Sequence, residues 1–318
     1  MDFREVIRKN NFRTKLVIIS YIVIMLLVGL LADTATHPDP YLDFAMNMWA
    51  FVTLAQTPVA TFIILGLTLI GLIYIHYRGH KLMLAGMNAK QLSPDGELNP
   101  QERQLCNIIE ELSLSASLGY IPRLYILDTD EPNAFAAGWS AQNALVGVTR
   151  GLLENLNRQE VQAVLAHEVG HIIHGDSKLT LYVGILANVI LTVTNIFSQL
   201  FIGFSGRGRN DAANKARALL MLLNFLLPWI TQILYFYLSR TREYMADAAA
   251  VELTQDNQAM ISALRKISGQ HETNQYEHQS TGQAYRKAAY IFNKGDSVFS
   301  THPSIENRIA ALEGRKTL

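Results

Sequence analysis

The stretch Val164–Val193, VLAHEVGHIIHGDSKLTLYVGILANVILTV, decides how this 318-residue chain is organised. Three histidines and two carboxylates crowd into the ten residues from His167 to Asp176, and from Leu179 onward the segment is uncharged and oily. His167 and His171 are four apart, which stacks two imidazoles on one helical face, one turn apart, the spacing that lets both reach a single zinc ion. Glu168 sits one step round the helix, near such a metal but free to face its water. This is the HExxH pattern, in which the glutamate acts as general base. Asn157 followed by Glu160 has the form of a capping box, so a helix is expected over 158–174. His174 adds no expected ligand and reads as an outer partner or a surface residue.

A catalytic zinc needs a third protein ligand and an open position. The stretch 239–254, SRTREYMADAAAVELT, follows a long apolar run, with Ser239 as a plausible cap. On it Glu243 and Asp247 lie four apart on one face. Glu243 is the candidate third ligand. Asp247, and Asp176 at the end of the first motif, are candidates to accept the outer N–H of a ligating imidazole.

Four stretches lack Asp, Glu, Lys and Arg and approach the ~20 residues a helix needs to cross a hydrocarbon core: 16–32, 59–77, 179–204 and 218–238. No small-residue cleavage site follows the first, which reads as a retained anchor rather than a signal peptide. FAMNMWAFVTLA, between the first two, is too short to cross and reads as interfacial, with Trp49 as its anchor. Arg4, Arg8, Lys9, Arg13 and Lys15 precede the first span, and Arg78 and Lys81 follow the second. The loop between carries Asp33, Asp39 and Asp43 without a cation, so both flanks are expected in the cytoplasm. Arg207, Arg209, Lys215 and Arg217 break this pattern: either the later spans obey the charge rule weakly, or that pair does not cross fully. Asn188, Thr192, Asn195 and Gln199 form one polar helical face, with Asn224, Thr231, Gln232 and Tyr235 as a looser counterpart. They read as hydrogen-bonding glue between helices or a polar path to a buried site.

The composition fits a membrane share, at 49% hydrophobic and 17% charged. The 27 basic and 27 acidic residues cancel, so no net field points to nucleic acid. The single cysteine, Cys106, cannot form an internal disulfide. In the polar part, Asn99–Pro100 predicts a capped helix start, with Leu105, Ile108, Ile109 and Leu112 as its buried stripe. RLYILD, ALVGVT and PNAFAAGW predict strands, with SAQN as a turn.

HEVGHIIHGD, REYMAD, PNAFA and STHPSIENRI, in a chain with two hydrophobic segments between the first pair, resemble the HtpX-like membrane zinc metalloproteases, relatives of the CAAX prenyl proteases. The resemblance covers most of the chain from about residue 15. It implies that His167, His171 and Glu243 bind one zinc ion per chain, with Glu168 as catalytic base. Asn133 matches the substrate-binding strand, which Ala134, Phe135 and Ala136 continue, and His302 and Arg308 match the transition-state residues.

The expected fold is α+β and mainly helical. Four membrane helices carry a cytoplasmic gluzincin-type zinc protease domain with a small β-sheet. Its parts are a membrane hairpin at 1–84, a first catalytic segment at 85–178, a second hairpin at 179–239 and a second catalytic segment at 240–318. Continuous helices would put the zinc roughly 8 to 12 Å beyond the membrane boundary. The resemblance implies a multi-pass protein of the inner (cytoplasmic) membrane. Its partners are then the lipid bilayer and membrane-protein or unfolded-protein substrates, and its role protein quality control; no nucleic acid is expected. The competing expectation is a non-catalytic membrane scaffold or transporter subunit, whose structural metal would be closed by a fourth protein ligand.

Overall fold

Small side chains on two helices decide how the polar half of the chain folds. The computed structural model describes residues 3–138, 140–203, 210–236, 241–273 and 303–315. Two compact units emerge, one of residues 14–76 and 185–234, the other of residues 1–13, 77–184 and 235–318.

In the second unit a four-stranded sheet has the order β1 (Ala89–Leu92), β2 (Arg123–Leu127), β4 (Leu145–Thr149), β3 (Ala134–Ala137). The central pair is parallel and the outer pairs are antiparallel. The strands expected in RLYILD, ALVGVT and PNAFAAGW are β2, β4 and β3. β3 and β4 are buried throughout, whereas β1 exposes most of its length and carries none of the alternation by which a strand is legible.

Helix α4 (Pro100–Ser115) starts at Asn99, whose side chain accepts from the Glu102 amide while Glu102 accepts from the Asn99 amide. Its predicted stripe is buried. The central element is α6 (Arg158–His174), capped by the same reciprocal pair, Asn157 and Glu160. From Val161 to Gly170 only Gln162 retains partial exposure. Against α6 pack α4, α10 (Asn257–Thr273) and, most extensively, α9 (Thr241–Thr254). Ser262 and Lys266 of α10 both bond Glu160, at 2.6 and 2.8 Å. A short α5 (Arg150–Asn155) precedes α6, and α11 (Ile305–Leu312) follows α10. Ser239, the expected cap of α9, lies outside the described residues.

Gly170, inside HEVGH, is the close approach that brings α9 in. A Cβ there would stand 3.1 Å from the Ala249 Cβ and 3.3 Å from the Ala246 Cα. Glycine within a helix costs about 1 kcal/mol relative to alanine; here it lets the α9 backbone reach the histidine face.

The other unit contains the bodies of α1 (Phe3–Thr36) and α3 (Val59–Leu82). These are two helices long and apolar enough to cross a membrane. Ile19, Val23, Ile63, Leu67 and Ile70 on them are exposed, the placement expected of lipid-facing side chains. Buried Asp33 accepts from the amides of Ala60 and Thr61 at 2.8 and 2.9 Å. The α1 carboxylate thereby satisfies orphan donors, and complements the dipole, at the start of α3. In the acidic loop Asp43 caps α2 (Phe44–Val52), and buried Asn47 bonds the carbonyls of Asp39 and Leu42. Trp49 is exposed, as an interfacial anchor requires. The third and fourth apolar stretches fall on α7 (Asp176–Gly203) and α8 (Asp211–Phe236). Thr192 and Asn195 are exposed on α7; the side chains of Asn188, Gln199, Thr231, Gln232 and Tyr235 lie outside the described residues.

Candidate active site

α6 presents His167 and His171 toward Glu243, which sits in the first turn of α9. The His167 and His171 Nε2 atoms are 3.2 Å apart, and the Glu243 oxygens lie 3.7 Å from the first and 3.8 Å from the second. A tetrahedral ion with bonds of about 2.0–2.1 Å spaces its ligand atoms roughly 3.3–3.4 Å apart, so the three can share one cation with little adjustment.

The outer nitrogens strengthen this case. His167 Nδ1 is 2.9 Å from Asp247 Oδ1, and His171 Nδ1 is 3.1 Å from Asp176 Oδ2. A carboxylate at each Nδ1 assigns the proton there and turns the Nε2 lone pair inward, where two lone pairs and a carboxylate converge in a buried place. Such a convergence is repulsive without a cation among them. A proton also meets the demand: burial opposes charge on His167, but the hydrogen bonds to Asp247 and Glu243 prevail and push its pKa up to about 9. Binding a metal displaces that proton.

Glu168 differs from these paired groups. It is buried, and neither carboxylate oxygen has a hydrogen-bond partner among the described residues. Burial drives its pKa above the ordinary carboxylate range. An unpartnered buried carboxylate costs stability and calls for a functional reason. A base that must take a proton, hold it and release it supplies one.

The structure thus brings His167, His171 and Glu243 together, with Asp247 and Asp176 at the outer nitrogens. Among the described residues the group that could hold a metal has these three members, whereas a closed structural site needs a fourth. His174 is buried, so it is not the surface residue that was one expectation for it. Asn133 precedes β3; its amide donates to Thr149 Oγ1 at 2.8 Å and its side-chain oxygen accepts from the Ala134 amide at 3.1 Å. Ala134, Phe135 and Ala136 form the strand itself. His302 lies outside the described residues.

Arg308 is fully buried on α11. Its Nε and Nη2 donate to the two Asp247 oxygens at 2.9 and 2.6 Å, and Nη1 is 3.8 Å from Glu243 Oε2. The guanidinium therefore stands on the Nδ1 side of His167, paired with the carboxylate that orients this ring.

A buried HExxH helix met by a glutamate from a second helix has the arrangement of a metal-dependent peptidase. The model of Peptidase family M48 matches residues 99–316. The chain is 40% identical over 315 residues to a protease HtpX homolog of Helicobacter acinonychis, covering 99% of each. It is 32% identical over 312 residues to one of Ligilactobacillus salivarius, covering 96% of this chain and 98% of that one. Among solved structures, Ste24p of S. mikatae aligns over 83% of this chain and 61% of its own, with 21% identity and a TM-score of 0.45. The chain belongs to peptidase family M48 and is an HtpX-like metalloprotease, the family its four motifs resemble.

Proposed function

We infer that the protein is a membrane-integrated zinc endopeptidase that cleaves cytoplasm-exposed segments of membrane proteins and unfolded proteins, in protein quality control. The observation that carries the catalytic part is the buried Glu168 carboxylate, without a hydrogen-bond partner among the described residues, beside three convergent ligand atoms. His167, His171 and Glu243 hold the zinc, which when bound supplies Lewis-acid chemistry and makes water acidic enough to attack at neutral pH. Glu168 takes the proton of the attacking water and returns it to the leaving amine. Asp247 and Asp176 hold the two rings in the tautomer that presents Nε2, and Arg308 holds Asp247. His302 is the proposed donor to the oxyanion.

Among the described residues β3 is an edge strand of the sheet, and it packs against α6. Thr149 donates to the Asn133 carbonyl, so in this antiparallel register Phe135 and Ala137 bond to β4 while the Ala134 and Ala136 carbonyls and the Ala136 N–H turn away from it, the Ala134 N–H being taken by Asn133 Oδ1. An extended substrate can add there as a strand, its backbone held without regard to sequence. This suits a protease whose substrates share unfolding rather than a motif.

The test is incubation of zinc-loaded, detergent-purified protein with an unfolded membrane protein, with and without a chelator. Cleavage that the chelator abolishes and zinc restores is expected; chelator-resistant cleavage or none at all rejects the reading. In the same assay Ala136→Pro, which edge strands tolerate, should raise KM about tenfold or more at parent zinc content. An unchanged KM would remove β3 from substrate binding.

The membrane placement rests on charge for the first hairpin and, against the cations of residues 205–217, on length for the second. α7 and α8 are continuous helices of 28 and 26 residues, roughly 42 and 39 Å long at 1.5 Å per residue and so longer than the ~30 Å hydrocarbon core. We place both across the bilayer, with the site on the cytoplasmic side. An impermeant thiol reagent should then reach a cysteine at Asn210 from outside only; labelling from inside alone would make the pair re-entrant.

A further inference from the structure

The junction between α6 and α7 carries a bond that metal chemistry alone does not require. α6 ends at Gly175, whose φ of +71° breaks the helix, and α7 starts at Asp176. The Asp176 carboxylate is therefore not held against His171 by helical regularity, although His171 lies only five residues before it. Something else must fix the two segments relative to each other. The side chain of Asn10, from the first turns of α1, does so: its Nδ2 donates to the last carbonyl of α6, that of His174, at 3.0 Å, and also to Asp176 Oδ1. An amide nitrogen has two N–H groups, one for each acceptor. Asn10, Asp176 and the bonds between them are buried, and residues 1–13 belong to the same compact unit as α6.

We propose that Asn10 is a positioning residue for the metal centre, acting through Asp176 on His171. One amide brackets both sides of the helix break, and the Asp176 oxygen it leaves free, Oδ2, is the one that receives His171 Nδ1. Without Asn10 the carboxylate can turn, and the imidazole loses the partner that sets its tautomer and direction. The residues ahead of the first span thereby complete the site, and a chain whose N-terminal helix has not docked lacks this bracket.

The inference rests on the metal reading above, and the experiment separates the two. Full-length detergent-purified protein is titrated with zinc against a competing chelator, and kcat and KM are measured on a soluble unfolded substrate. Asn10→Ala should weaken zinc about 3- to 10-fold, below the 10- to 100-fold of a direct partner, and lower kcat with KM unmoved. Asn10→Asp keeps the shape, removes both donors and faces a carboxylate with another. It should weaken zinc further and shift the visible absorption of the cobalt-substituted protein. Asn11 is exposed on the same turn, and Asn11→Ala should change none of these. The decisive arm is a cycle: in an Asp176→Ala background, Asn10→Ala should cost no further zinc affinity. Parent-like zinc binding in both Asn10 variants, or additive losses in the cycle, overturns the proposal, whereas a parent that binds no zinc overturns the metal reading instead. Should Asn10→Ala fail to accumulate, Asn10→Asp carries the same comparison.

Discussion

Glu168→Gln should retain the zinc content of the parent while its turnover falls by about 10²- to 10⁴-fold, the range associated with a lost general base. The variant keeps the volume and shape of the side chain, and the ligand atoms of His167, His171 and Glu243 are untouched. What disappears is a carboxylate able to accept a proton. A second consequence follows from the burial of Glu168 with neither oxygen partnered among the described residues. A carboxylate in that position costs free energy that a neutral amide of the same size costs less of, so the metal-free variant should unfold at a temperature no lower than the parent's. An inactive enzyme that is as stable as its parent or more so is the signature of a group kept for chemistry. Loss of zinc together with activity would instead make Glu168 part of the metal's support, and a lowered unfolding temperature would show that it has a structural partner.

The site divides into a part written locally and a part that is not. The α6 motif is legible because every signal in it is short-range: the Asn157–Glu160 cap fixes where the helix starts, and a spacing of four puts both imidazoles on one face. Glu243 and Asp247 are legible for the same reason, once a helix is expected there. Gly170 is not. Within HEVGH it reads only as a residue that weakens a helix, and its purpose appears when Ala246 and Ala249 of α9 are seen against it. Asn10 is one of two adjacent asparagines in a basic segment, 166 residues from its carboxylate partner, and no pattern near it distinguishes it from Asn11. β1 escaped for a different reason. A strand that buries little has no alternation to show, and its existence depends on β2 offering an edge to pair with. Local order in the sequence thus specifies the ligands, and distant packing specifies how firmly they are held.

Arg308 makes the distinction testable. The family resemblance links it to the transition state, yet its guanidinium gives two hydrogen bonds to Asp247 and lies near Glu243, in a place with no exposure. Two readings of one arginine then predict opposite things. An oxyanion donor acts only when charge develops on the substrate, so its loss lowers turnover about 10²- to 10³-fold and leaves zinc affinity and stability alone. A cation that compensates a buried carboxylate acts all the time. Arg308→Met removes it and strands the Asp247 charge with His167 as its remaining partner among the described residues, a change that costs about 3–5 kcal/mol in buried pairs. At the usual few degrees per kcal/mol this lowers the unfolding midpoint by roughly 10 °C. Zinc affinity should fall with it, by about 10- to 100-fold, because an Asp247 freed to turn no longer orients His167. We expect this second pattern, measured by thermal unfolding and by zinc competition on the same preparations. The double variant Arg308→Met with Asp247→Asn sharpens it. Removing the stranded charge should restore much of the lost stability, while zinc affinity stays low because an amide orients the ring less firmly than a carboxylate. A double variant no more stable than Arg308→Met alone would mean that the arginine's burial, not its pairing with Asp247, is what the fold requires.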